Sequence, residues 1–181
     1  MPNADLILPG FYGKLPAAGD FVARRLPLDF VQAWDRWLAK HIAPLIGPEN
    51  WSAGQPLRFI SGPNAFGPAV GIVAASRDRV GRRFPLSLVA LPHTVSIGLA
   101  GQADAWFLAL EDAAAAAQDG LSPDELDLRL STLGFAPEDD DDSEPIDAMI
   151  VWTARSDLYD VDPDAPEAVL NQLFAHKLET S

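Results

Sequence analysis

Apolar positions along the chain change period several times, and each change marks a predicted element. A short apolar run from Leu6 to Tyr12 has strand length and leads into a glycine-rich stretch. From Leu28 onward the period lengthens: Phe30, Val31, Trp34, Trp37, Leu38, Ile42 and Leu45 recur three and four apart, with Asp29, Gln32, Asp35, Arg36 and Lys40 between them. That spacing predicts one amphipathic helix, entered after Pro27 and stopped by Pro44, Gly47 and Pro48. Leu57 to Ser61 and Ala69 to Ala75 read as strands joined through Gly62, Pro63, Gly67 and Pro68, the second apolar on both faces and so suited to a covered sheet centre. A polar turn, Arg77 to Gly81, returns the chain as Phe84 to Leu91, a hairpin partner with Pro85 at its start, where a missing N–H is tolerated.

The second half reads as helices and then a last strand. Gln102 to Gln118 places Trp106, Phe107 and Leu110 inward and ends in an alanine run, stopped by Gly120. Ser122, Pro123 and Glu125 form a capping box that starts a helix through Leu133. Ala148 to Thr153 is the final predicted strand and Pro166 to Leu178 the C-terminal helix. Trp34 and Trp37 could form a ligand platform, but tryptophans at helical spacing are ordinarily core.

The stretch from Gly10 to Phe21 fits neither period. Gly10, Gly13 and Gly19 with Pro16 make it a shaped loop; Phe11, Tyr12, Leu15 and Phe21 can anchor it, and Lys14 and Asp20 are free to pair. Gly13-Lys14 looks like the end of a phosphate-binding loop, yet Leu8 stands where the first glycine belongs and Leu15 where a magnesium-binding hydroxyl is required. A structural hub is the better reading, with Asp20 expected to pair with Arg82 or Lys14.

Composition narrows the function classes. The chain has 181 residues, 48% of them hydrophobic, no cysteine and a net charge of −13. This suits a single globular domain over 1–181 without disulfides or thiolate metal sites. Neither a signal sequence nor an apolar run long enough to span a bilayer is present, which points to a cytoplasmic protein without membrane insertion. Charge is uneven: residues 1–83 hold ten Lys/Arg against six Asp/Glu, and residues 84–181 hold three against twenty. So acidic a chain is a poor nucleic-acid ligand. Its arginines gather at Arg24, Arg25, Arg77, Arg79, Arg82 and Arg83, either paired with the chain's own carboxylates or forming a docking patch for an acidic partner. The tract Glu138 to Glu144 has no apolar anchor and reads as a solvated mobile loop near 136–145; it lacks the glycine and distal glutamate of a calcium loop.

Catalytic motifs are absent from the sequence. His41, His93 and His176 are isolated, no nucleophile elbow occurs, and a triad assembled from distant residues would leave no signature here. A binding module without metal or cofactor is therefore favoured over an enzyme, with a small hydrolase or phosphatase-pathway partner as the alternative.

Three blocks in order, GFYGKLPAAGDFVARRLP, WDRWL and DRVGRRFPLSL, resemble the TagF (ImpM) family of bacterial type VI secretion accessory proteins. The resemblance implies a three-layer α/β sandwich with a mainly antiparallel central sheet flanked by helices, akin to longin and profilin-like domains. It implies a post-translational repressor that opposes kinase-driven activation working through a forkhead-associated scaffold protein. It carries over no catalytic residue, only recurrent positions: Gly13, Lys14, Pro16, Gly19, Asp20, Phe21, Trp34, Trp37, Asp78, Gly81, Arg82, Phe84 and Pro85. Among these and their neighbours, Lys14, Asp20, Asp78, Arg79, Arg82 and Arg83 are the charges expected to tie loop to hairpin or to meet a partner.

Overall fold

The structure is a computed structural model that describes residues 6–47, 51, 55–136 and 144–174. Its strands are β1 (Gly10–Gly13), β2 (Val22–Arg24), β3 (Leu57–Ser61), β4 (Ala69–Ala74), β5 (Leu86–Ala90), β6 (Met149–Trp152) and β7 (Tyr159–Val161). They form one sheet in the order β2-β1-β5-β4-β3-β6-β7, every neighbouring pair antiparallel. The helices are α1 (Leu28–Trp37), α2 (Leu99–Gln102), α3 (Asp104–Gln118), α4 (Pro123–Leu130) and α5 (Glu167–Phe174).

Successive side chains of a strand point to opposite faces, so a strand apolar throughout feeds two cores. In β4, Val70, Ile72 and Ala74 join Phe107, Leu110, Ala113 and Ala117 of α3 and Leu126 and Leu130 of α4. Ala69 and Val73 point the other way, to Phe30, Trp34 and Trp37 of α1 and Leu170 and Phe174 of α5. The result is helices, sheet, helices, as expected. Each large apolar side chain buried here contributes about 1.5–3 kcal/mol.

Several boundaries differ from the sequence reading for identifiable reasons. The Leu6–Tyr12 run pairs as a strand only from Gly10; before that, Ile7 makes a single bridge to Phe135. The helix starting at Leu28 keeps regular geometry to Trp37, widens into a π-helical turn over Leu38–Ile42 and tightens into a 3-10 turn over Ala43–Leu45. Pro44 has no N–H to donate and crowds the preceding turn, which accounts for the change of winding. The capping box at Ser122 and Glu125 forms as expected, but its helix ends at Leu130 rather than Leu133. Ala148 to Thr153 is not the last strand, since β7 follows; β2 was also missed, because three residues are too few to show alternation. Of the expected Pro166–Leu178 helix, Glu167–Phe174 is seen, and the remainder lies outside the described residues. The proposed mobile loop lies outside them too, over 137–143.

Register places the two ends of the sheet. Val161, Met149, Ser61 and Ala69 stand side by side across β7, β6, β3 and β4 at one end. Ala74, Leu86, Gly13 and Val22 stand side by side across β4, β5, β1 and β2 at the other. The glycine-rich loop and the Arg77–Gly81 turn both project from this second end.

Candidate functional site: a charged hub at one end of the sheet

The β4–β5 hairpin tip is built around Asp78, whose side chain is 0% exposed. Oδ1 accepts from the backbone N–H groups of Val80 and Arg82 (3.1 and 2.9 Å), closing the turn. Oδ2 meets Lys14 Nζ at 3.2 Å and Arg82 Nε at 2.7 Å. Gly81, at φ 91°, supplies the left-handed residue this turn needs. Burial alone would push the Asp78 carboxyl up. The Arg82 backbone N–H, the Lys14 ammonium and the Arg82 guanidinium outweigh it and hold the carboxyl at about 2.

The glycine-rich loop wraps this centre. Gly13 ends β1 at φ 141°, and a Cβ there would lie 2.1 Å from the Pro85 carbonyl oxygen, so only glycine admits β5 so closely. A Cβ at Gly10 would likewise lie 2.3 Å from the Arg24 carbonyl oxygen. Lys14, nine-tenths buried, lies over the Phe21 ring at 4.9 Å from its centroid, and its carbonyl accepts from Ser76 Oγ. Phe21 stacks on Tyr12 and meets Phe84 edge-on, so Tyr12, Phe21 and Phe84 form an aromatic wall between loop and hairpin. Pro16 lies in the turn that Ala18 closes onto the Leu15 carbonyl. Arg79 donates its backbone N–H to Ala18 O and its Nη2 to Ala17 O; Arg82 donates Nη2 to Gly19 O.

The hub thus unites Lys14, Asp78, Arg79 and Arg82 with Gly13, Pro16, Gly19, Phe21, Gly81, Phe84 and Pro85. Asp20 does not take the ion pair expected of it. It is exposed and accepts from the adjacent Phe21 N–H, because Asp78 already occupies the buried position facing both cations. Trp34 and Trp37 lie elsewhere, in the core, donating to Ser87 Oγ and the Pro163 carbonyl. Arg77 and Arg83 stand opposite each other in an isolated bridge, exposed and without a carboxylate within ion-pair distance among the described residues. Arg24 and Arg25, by contrast, are spent on Asp124 and Asp127 of α4.

One charged centre escaped the sequence reading. Arg58 of β3 is 2% exposed, faces the core of Ile60 and Ile72, and is held by Glu111 on two atoms and by Asp104 on a third. Burial pulls its guanidinium down, and the two carboxylates reverse that and raise it. Its position beside Leu57 and Phe59 in a strand covered on both sides was the available signal.

The far end of the sheet carries the opposite charge. Glu144, Asp147, Asp160, Asp162 and Asp164 line an open cavity of about 640 Å³ with no lysine or arginine among the lining residues. Among the described residues no group of three or more His, Cys, Asp or Glu could hold a metal ion, and no helix is long and apolar enough to cross a membrane.

Comparison with known proteins places this architecture. Residues 10–133 match the family model of the TagF N-terminal domain, type VI secretion system-associated. A solved structure, that of PA0076 from Pseudomonas aeruginosa PAO1, aligns with a TM-score of 0.61 at 29% identity, over 93% of this chain and 77% of that one. Comparison with curated proteins gives no match.

Proposed function

The chain belongs to the type VI secretion-associated family of TagF N-terminal domains, and on that premise we propose that it is a non-enzymatic cytoplasmic regulator that represses secretion post-translationally by binding a scaffold protein, a forkhead-associated one by family resemblance. The docking surface is the basic tip of the β4–β5 hairpin. One observation carries this reading: in a chain of net charge −13, Arg77 and Arg83 face each other with no carboxylate partner among the described residues. Like charges directly opposite in a ladder destabilise it. An acidic partner surface would relieve that repulsion and steer association.

The test is capture of partners from cells expressing the secretion genes, followed by kinetics with the purified partner. Arg79→Glu/Arg83→Glu in a folded protein is expected to weaken binding, mainly through the association rate. Wild-type binding is expected to fall as salt shortens the Debye length below about 8 Å. Binding that survives this reversal and is lost on deletion of 138–144 would move recognition to the acidic segment.

A further inference from the structure

The hairpin tip carries four arginines, at 77, 79, 82 and 83, and no lysine between Ser76 and Phe84. A guanidinium differs from an ammonium in presenting a planar fork of donors that matches the oxygens of an oxyanion. Two of these forks are already aimed. Ala17 O holds Arg79 Nη2 at 2.7 Å, and Gly19 O holds Arg82 Nη2 at 3.0 Å while Asp78 Oδ2 holds its Nε at 2.7 Å. The anchoring carbonyls are two residues apart on one loop, and Arg79 Nη1 stands 4.0 Å from where a Cβ on Gly19 would be. Both guanidiniums therefore lie against Gly19. The Nη1 group of each makes no hydrogen bond among the described residues. Side chains fixed in this way before a ligand arrives lose little rotamer freedom on binding it.

The local charge is not cancelled. Asp78 is committed to Lys14 and Arg82, and Asp20, the adjoining carboxylate, is turned to the Phe21 N–H and reaches no guanidinium within ion-pair distance. The carboxylates of the acidic cavity lie at the opposite end of the sheet. A carboxylate brings two oxygens and one charge to such a site, whereas a phosphate monoester brings three terminal oxygens and about −1.5 to −2. We propose that Arg79 and Arg82, both held against the Ala17–Gly19 loop, form a clamp for a phosphorylated side chain on the protein partner. This rests on the docking reading of the same surface and specifies its chemistry.

The experiment presents the purified full chain with immobilised degenerate peptides centred on phosphothreonine, on glutamate or on unmodified threonine. The phosphorylated set is expected to be retained about tenfold more tightly than the glutamate set, and free inorganic phosphate to compete better than chloride at equal ionic strength. Arg82 also holds the hub together, so the diagnostic variant is Arg79→Lys. It keeps the charge but removes the fork, and is expected to lose most of the preference for phosphate with little change in melting temperature. Equal retention of the glutamate and phosphorylated sets would overturn the clamp while leaving docking to an acidic surface intact. So would failure of every set to bind while Arg79→Glu/Arg83→Glu still abolishes capture of the partner. Capture unaffected by that double reversal would remove the docking reading and the clamp with it.

Discussion

The two ends of the sheet handle charge in opposite ways. At the basic end, one buried carboxylate organises two cations, two backbone N–H groups and a loop about 60 residues distant in sequence, so each charge has a fixed geometry. At the acidic end, five carboxylates line an open cavity and form no such network among the described residues, where Asp162 Oδ1 accepts from the Asp164 N–H. Charges built into a network are structural even when their outer atoms reach solvent, whereas carboxylates dispersed around a rim add mainly field. Substitutions at the two ends should differ accordingly.

Removing the organising carboxylate should have the largest effect. Asp78→Asn leaves Lys14 buried beside an amide and is expected to lower the melting temperature by roughly 10 °C; a shift below about 2 °C would show that the loop holds without its anion. Arg58→Met should follow, at about 2–4 kcal/mol by chemical denaturation, because Glu111 would be left largely buried without its partner. Arg58→Met/Glu111→Leu should recover most of that loss, since replacing a whole buried pair with packed apolar groups is often neutral.

Acid titration gives a smaller effect with a defined sign. The Asp78 carboxyl is depressed from 3.8 to about 2 in the folded protein. Its contribution is therefore full above the ordinary value and lost as pH falls from about 4 through 2. Glu125, held by the Ser122 backbone and hydroxyl, and Glu167, held by backbone and His41, are lowered as well and add to the same acid slope. Stability measured from pH 5 to pH 2 should fall less steeply in Asp78→Asn than in the wild type. Equal slopes would mean that other carboxylates dominate acid unfolding.

Asp20→Ala should shift the melting temperature by only about 2 °C, since Asp20 is exposed and its one bond is local. At the far end, Asp160→Asn/Asp162→Asn should change stability by about 0.5 kcal/mol or less. A large loss there would make the acidic rim as structural as the hub.

Much of this was legible in the residues. The glycines and proline of the 10–21 stretch announced a shaped loop, which holds for 14–21 but not for Gly10–Gly13, a strand paired on both sides; the switch from period 3.6 to continuous apolar runs announced a sheet covered on both faces. What was not legible was partnership. Lys14, Asp20, Asp78 and Arg82 were the charges expected to pair, but which carboxylate lies between the cations depends on the hairpin turn placing Asp78 inward and on the Phe21 N–H capturing Asp20. Local sequence fixes neither. Arg58 was missed because its partners lie on α3, about 50 residues away, and β2 and β7 because each is three residues long and owes its existence to a neighbouring strand.

The closure of Asp78 onto Val80 and Arg82 bears on how the tip opens. These amides belong to a surface turn, where solvent exchange would ordinarily be fast. Here their exchange is expected to require Asp78 to leave its buried position, which also breaks its ion pair with Lys14 of the 14–21 loop. The amides of Val80 and Arg82 therefore report an opening shared by two segments, and any partner that grips the tip slows exchange in a loop it need not touch.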